Sequence, residues 1–199
     1  MEVKPWKKIG LPKKVAERYR RSLMLQKFKD PRTGKVEEFS YFEGATFASI
    51  VLAITVKGDA IITKQFRQIA GEIMFELPGG GSVKRSGQSP QEVALKEVVE
   101  ETGGFAPEKI VSLSPRPLWH NASCSASTFY PFLFTNCRRI NKKQRLDRGE
   151  YIESVHIPLS EWIEMCLAGQ IVEAKSVVVT VLALRHLGYH VSNNPYYKK

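Results

Sequence analysis

The chain has 199 residues, 43% hydrophobic, 25% charged and 10% aromatic, a composition that fits a soluble globular domain of ordinary size and excludes disordered, collagen-like and disulfide-framework chains. Its longest apolar runs, 47–56 and 177–184, are about half of the roughly 20 residues a membrane-spanning helix needs, so no membrane contact is expected. The net charge of +10 is concentrated at one end, because residues 1–35 carry twelve Lys and Arg against three Asp and Glu.

Residues 7–21 form a polar, basic lead-in that reads as a solvated strand and tail, the alternative being an arm that attracts phosphate-rich ligands. Leu23, Leu25 and Phe28, then the turn Asp30-Pro31-Arg32-Thr33-Gly34, then Val36, Phe39, Tyr41 and Phe42 predict a β-hairpin. Phe28 and Phe39 read as core, with stacking on a base as the alternative. Residues 47–56 and 60–65, joined by Lys57-Gly58-Asp59, predict a strand pair rich in β-branched residues, and 73–77 a short strand ending at Pro78 and three glycines. The expected organisation is a lead-in and hairpin region over 1–45, a main domain over 46–190 and a tail over 191–199.

Beyond the glycines the period changes. Ser89-Pro90-Gln91-Glu92 offers an N-cap, a proline at the first helical position and an acid in the first turn, predicting a helix over 90–102 that Gly103 and Gly104 stop. Strands are expected at 110–114, 128–134 and 152–157, and two helices at 160–167, capped by Ser160, and 173–187. Strands before and around isolated helices, without regular βαβ alternation, indicate a mixed α/β (α+β) sandwich. Cys124, Cys137 and Cys166 are odd in number and lack a CxxC pairing, so they read as packing residues. The four histidines, His120, His156, His186 and His190, form no tight ligand cluster and read as structural. No apolar signal core follows the basic N-terminus, so a cytoplasmic protein is expected.

The chemistry-bearing segment is Glu97, Glu100 and Glu101. Spacings of three and four gather these acids on one helical face, with Leu95, Val98, Val99 and Thr102 expected opposite. Most acidic helix faces are simply solvated, but like charges at this spacing repel, and here they sit beside a glycine turn that lets backbone and ligand approach. Hard divalent cations use such oxygen ligands. Lys96, four residues before Glu100, is placed to pair with it.

Lys96-Glu97-Val98-Val99-Glu100-Glu101-Thr102-Gly103 resembles the core of the Nudix box, G-x5-E-x7-R-E-U-x-E-E-x-G-U with U apolar, and residues 89–95 supply the spacer. The chain departs from the pattern at Gln88, where the first glutamate belongs, at Lys96 in place of arginine, at Gly104 in place of an apolar residue, and in the length of the loop 79–87. Lys64-Gln65-Phe66-Arg67 and Phe75-Glu76-Leu77-Pro78-Gly79-Gly80 ahead of the box are similar to the ADP-ribose and nucleotide-sugar pyrophosphatase branch. So are Glu150-Tyr151-Ile152-Glu153, Pro158-Leu159-Ser160-Glu161 and Gly169-Gln170-Ile171 after it.

The resemblance spans 47–187 and implies a Nudix-type α/β/α sandwich with a small N-terminal β region. It implies coordination of Mg²⁺ or Mn²⁺ by Glu97, Glu100, Glu101 and the Gly79 carbonyl, and substrate binding by Arg67 and Glu76. Glu101 and Glu150 would be catalytic; Glu150 matches a loop acid that positions or deprotonates the attacking water, with Asp147 and Glu153 as alternatives. The implied reaction is metal-dependent hydrolysis of a nucleoside diphosphate sugar by a homodimer, giving a nucleoside monophosphate and a sugar phosphate. A Nudix hydrolase of RNA 5′ ends or dinucleoside polyphosphates, or a non-catalytic nucleotide-binding module, are the alternatives. The segment 120–128 departs from the branch's Pro-Gly turn and acid, leaving the sugar side unassigned.

Overall fold

The computed structural model describes residues 2–19, 21–82, 87–140, 143–147 and 149–189; His190, the expected tail 191–199 and part of the loop after the glycines lie outside the described residues. The strands are β1 (Lys7–Arg18), β2 (Arg21–Lys29), β3 (Val36–Glu43), β4 (Ala48–Thr55), β5 (Asp59–Arg67), β6 (Glu72–Glu76), β7 (Gly79–Gly81), β8 (Phe105–Ala106), β9 (Lys109–Ser112), β10 (Leu118–Trp119), β11 (Thr128–Arg139) and β12 (Ile152–Pro158). The helices are α1 (Pro90–Glu101), α2 (Leu159–Leu167) and α3 (Ala174–Leu184).

Strand β4 is central because it is apolar on both faces, the pattern of a strand covered on each side. Val51 and Ala53 point to a core shared with Ala94 and Val98 of α1 and with Phe132 and Phe134 of β11. Ile50, Leu52 and Ile54 point the other way, to Trp162 of α2 and Val179 and Ala183 of α3. The result is an α/β/α sandwich built on a mixed sheet of order β10-β11-β4-β5-β12, with β4 and β11 parallel and β5 and β12 antiparallel. Trp162 is fully buried and its indole donates to Thr180 Oγ1 at 2.9 Å, so its one polar atom is satisfied. Each such large apolar side chain contributes about 1.5–3 kcal/mol through burial.

Strands β4 and β5 pair only at Ala53↔Ile61 and Ile54↔Ala60, and beyond that point β6 joins β5 while β7 joins β4. This split carries the turn between β6 and β7 into the open end of the sheet, against the C-terminal half of α1.

Several sequence expectations change here. The lead-in is a solvated strand, β1, exposed along nearly all its length, but it pairs antiparallel along β2, so the expected hairpin is a three-stranded sheet β1-β2-β3. Phe39 is exposed and packs edge-to-face on Trp6 and Phe28 at 5.6 and 5.7 Å, rather than entering the core. Ser160 does not cap α2, which starts at Leu159 with no side-chain cap bond. The last helix stops at Leu184 and tightens into a 3₁₀ turn over Arg185–Leu187. Cys137 and Cys166 are buried as expected, but Cys124 is exposed.

Candidate active site

Helix α1 is set as its sequence dictates. Ser89 caps it through the Glu92 amide, Glu92 returns the bond to the Ser89 amide, and Pro90 begins the first turn. Burial of Val93, Ala94 and Val98 then fixes its rotation over β4, which decides where the three acids point.

They do not point alike. Glu101 is buried, not on an open acidic face: it shares the sheet-facing side with Val98, and its Oε2 accepts from the Gly79 amide at 2.8 Å. Glu97 lies against the glycine run, where a Cβ on Gly80 would come within 2.5 Å of its Cδ. Glu100 pairs with Lys96 at 3.1 Å, the expected i,i+4 contact, and Lys96 also reaches Glu97 at 3.3 Å. Both glycines are needed for close approach, since a Cβ on Gly79 would collide with the β4 backbone, including Ile50 Cα at 2.9 Å.

Burial pushes the Glu101 carboxyl up to about 8, and the neighbouring charges of Glu97 and Glu150 add to the rise. The Gly79 amide and Arg67 work against it. Burial also raises Glu97, with Lys96 opposing. Burial works against the Lys96 charge as well, but its two carboxylate partners hold the ammonium above its ordinary value.

Arg67, at the end of β5, forks onto Glu76 with Nε to Oε1 at 2.6 Å and Nη2 to Oε2 at 2.5 Å. Glu76 is buried, whereas the Arg67 side chain is 46% exposed, so the carboxylate fixes the fork and leaves part of the guanidinium open to solvent. Arg67 lies within electrostatic reach of Glu101 and Glu173.

Glu150 sits in the loop before β12, where its carboxylate accepts from the Asp147 amide at 3.0 Å and its charge is felt by both Glu97 and Glu101. Glu153 is instead paired with Lys64 at 3.1 Å. The loop is fastened by Gln144, whose Nε2 donates to the backbone carbonyls of Glu101 at 2.6 Å and Ile152 at 2.9 Å, and by the Arg145 amide on the Glu100 carbonyl at 2.9 Å.

The sequence reading missed the far wall. Glu173 caps α3, and Ser176, fully buried, accepts from the Leu77 amide at 2.8 Å and donates to Glu173, clamping α3 to the β6–β7 turn. Glu173 also pairs with Lys175. Burial opposes the Glu173 charge, but Lys175 and Ser176 hold its carboxyl below the ordinary range. Burial and the Lys175 charge lower His120. Glutamate is not among the residues favoured at an N-cap, and the Glu173…Ser176 order reverses the usual capping box, so no local signal marks this cap in the sequence.

The donor set suits a hard cation. Glu97, Glu100 and Glu101 present oxygen only, repel one another, and include a buried carboxylate that accepts from a backbone amide. Among the described residues no three His, Cys, Asp or Glu side chains come together closely enough to hold a metal ion by themselves. Mg²⁺ does not need such a set, since it is usually held by one or two carboxylates with water and substrate phosphate completing the shell.

No family model matches the chain. It is 27% identical over 140 residues to an ADP-ribose pyrophosphatase of Bacillus subtilis (strain 168), covering 70% of this chain and 71% of that protein. It is 23% identical over 133 residues to a methanol dehydrogenase activator of Bacillus methanolicus, covering 66% and 68%. A solved ADP compounds hydrolase superposes with a TM-score of 0.78 at 16% identity, over 96% of this chain and 100% of that one, and shares the fold.

Proposed function

We propose that this chain, a Nudix pyrophosphohydrolase of the ADP-ribose pyrophosphatase kind, hydrolyses the pyrophosphate linkage of a nucleoside diphosphate sugar, giving a nucleoside monophosphate and a sugar phosphate. The observation that carries the reading is the seating of Glu101 on the Gly79 amide and of Glu97 against Gly80, with Glu100 held on the same helix by Lys96, and with Arg67 and Glu150 within electrostatic reach of Glu101. The similarity to a bacterial ADP-ribose pyrophosphatase supports the substrate class.

Glu97, Glu100 and Glu101, with the Gly79 carbonyl, would hold Mg²⁺ or Mn²⁺. When bound, the cation would neutralise phosphate charge that otherwise repels an attacking oxygen nucleophile, and would lower the pKa of water. Arg67, held in its fork by Glu76, binds a phosphate oxygen through its exposed edge. Glu150 takes the proton of the attacking water, because it is exposed, loop-borne and next to Glu97 and Glu101, whereas Glu153 is engaged by Lys64. The His120, Glu173 and Lys175 wall borders the side where the sugar would lie.

A homodimer in the cytoplasm belongs to the same proposal. The exposed Trp6 and Phe39 rings, packed on half-buried Phe28 of the N-terminal sheet, support the dimer, and three cysteines without disulfides support a reducing compartment. Among the described residues no helix is long and apolar enough to cross a membrane.

The test is incubation with ADP-ribose, other nucleotide sugars, nucleoside triphosphates and capped RNA in Mg²⁺, with products identified by mass. A nucleoside monophosphate and a sugar phosphate are expected. Turnover of capped RNA or triphosphates alone would overturn the substrate class, and nucleotide binding without any product would leave the binding-module alternative.

A further inference from the structure

The positive charge of the N-terminal sheet is sorted onto one of its two faces. Residues opposite one another in an antiparallel pair share a face. The pairs Lys7↔Lys29, Ile9↔Lys27, Lys13↔Leu25, Ala16↔Leu23 and Arg18↔Arg21 therefore define one side. On β3 the same side continues through Val36, Glu38, Ser40 and Phe42. It carries Lys7, Lys13, Arg18, Arg21, Lys27 and Lys29 against the single acid Glu38. The other side carries Lys8 and Lys14 together with Glu17, Glu37 and Glu43, and Lys14 pairs with Glu17, so charge there is balanced.

Burial separates the faces too. The buried residues of β2, namely Ser22, Met24 and Gln26, all lie on the balanced side, while all six cations of the first side are exposed. Among the described residues none of the six forms an ion pair. Two aromatic rings stand with them: Phe42, 56% exposed on the same face, and Tyr19, 86% exposed at the β1–β2 turn with the Arg18 guanidinium 5.2 Å from its ring.

We propose that this face binds a single strand of nucleic acid. Its cations span the eight residue steps of β2, about 26 Å at roughly 3.3 Å per residue, and same-face residues along a strand recur at about 7 Å, the scale of an extended phosphate backbone. A cationic track with exposed aromatic rings is the chemistry of sequence-tolerant strand binding, in which phosphates supply affinity and bases stack. A second copy of the chain is a poor occupant, because outside residues 1–35 the protein is close to neutral and offers no matching acidic excess. The proposal is independent of the hydrolytic reading.

The experiment measures fluorescence anisotropy of labelled oligouridine and oligothymidine of about twelve nucleotides with the full chain across a salt series. Two double variants remove the same net charge from opposite faces: Lys13→Ala with Lys27→Ala, and Lys8→Ala with Lys14→Ala. The first should weaken binding at least tenfold and reduce the slope of log K against log salt by about 1.4, at roughly 0.7 per lost phosphate contact. The second should change affinity less than twofold, and both should hydrolyse the small substrate as the parent does. Equal binding of the two oligonucleotides supports recognition through phosphate and base faces, and preference for the uridine strand supports RNA as the source. Equal losses from the two variants would overturn the proposal in favour of net charge alone. Binding only to phosphatidylserine vesicles, or a change of oligomeric state confined to the first variant without strand binding by the parent, would also overturn it.

Discussion

The Glu101 carboxylate accepts the Gly79 amide at 2.8 Å, so the last turn of α1 and the glycine run are fastened by a buried acid. The same residue thus shapes the site and carries charge within it.

That burial gives a pH dependence. The Glu101 carboxyl stands at about 8 in the fold against 4.5 in the unfolded chain, a raised value, so its contribution to stability is complete below about pH 4.5 and is lost as pH rises through 8. The melting temperature of chelated protein should therefore fall between about pH 5 and pH 8, and divalent cation should restore it. Glu101→Gln should flatten that fall. A flat profile in the parent protein would show that Glu101 is not the titrating group.

Glu101→Gln should also lower kcat about a hundredfold, the scale of losing one transition-state contact. At pH 8 without metal the variant should be at least as stable as the parent, because it buries an amide where the parent buries a carboxyl that must ionise. Calorimetry and initial rates on the same preparation separate the two effects.

Gly79 and Gly80 should part company. Gly79→Ala drives a Cβ into the β4 backbone and should destabilise the protein by about 1–3 kcal/mol, read by urea unfolding. Gly80→Ala meets only the mobile end of Glu97 at 2.5 Å, so it should displace that carboxylate and cost activity while leaving the unfolding midpoint close to the parent's.

Arg67→Lys keeps the charge and loses the fork on Glu76, so KM should rise about tenfold with a smaller change in kcat. Arg67→Ala should raise KM further and leave buried Glu76 without its partner, costing about 1–3 kcal/mol of stability.

Gln144 bridges the Glu101 and Ile152 carbonyls, joining the end of α1 to the start of β12 across the Glu150 loop. Gln144→Ala should lower kcat about tenfold, with KM nearly unchanged, by letting Glu150 drift from Glu97 and Glu101. An equal change in KM would place Gln144 in substrate binding instead.

What the sequence determined by itself is local. The cap, proline and first-turn acid set α1 because capping acts within one turn, and the apolar runs 47–56 and 128–134 mark the two central strands because only buried strands tolerate apolar residues on both faces. The spacing of Glu97, Glu100 and Glu101, on which the proposed chemistry rests, is likewise local. Only the tertiary structure decided the rest. Rotation of α1 over β4 buried Glu101, which a helical wheel without its neighbour cannot resolve, whereas the Lys96–Glu100 pair follows from its i,i+4 spacing alone. The clamp of Ser176 on Leu77, 99 residues away in sequence, and the sorting of basic residues onto one face of β1 and β2 depend on pairings that no local pattern encodes. A strand's faces become unequal in charge only when its register and bulges are fixed by the strand beside it.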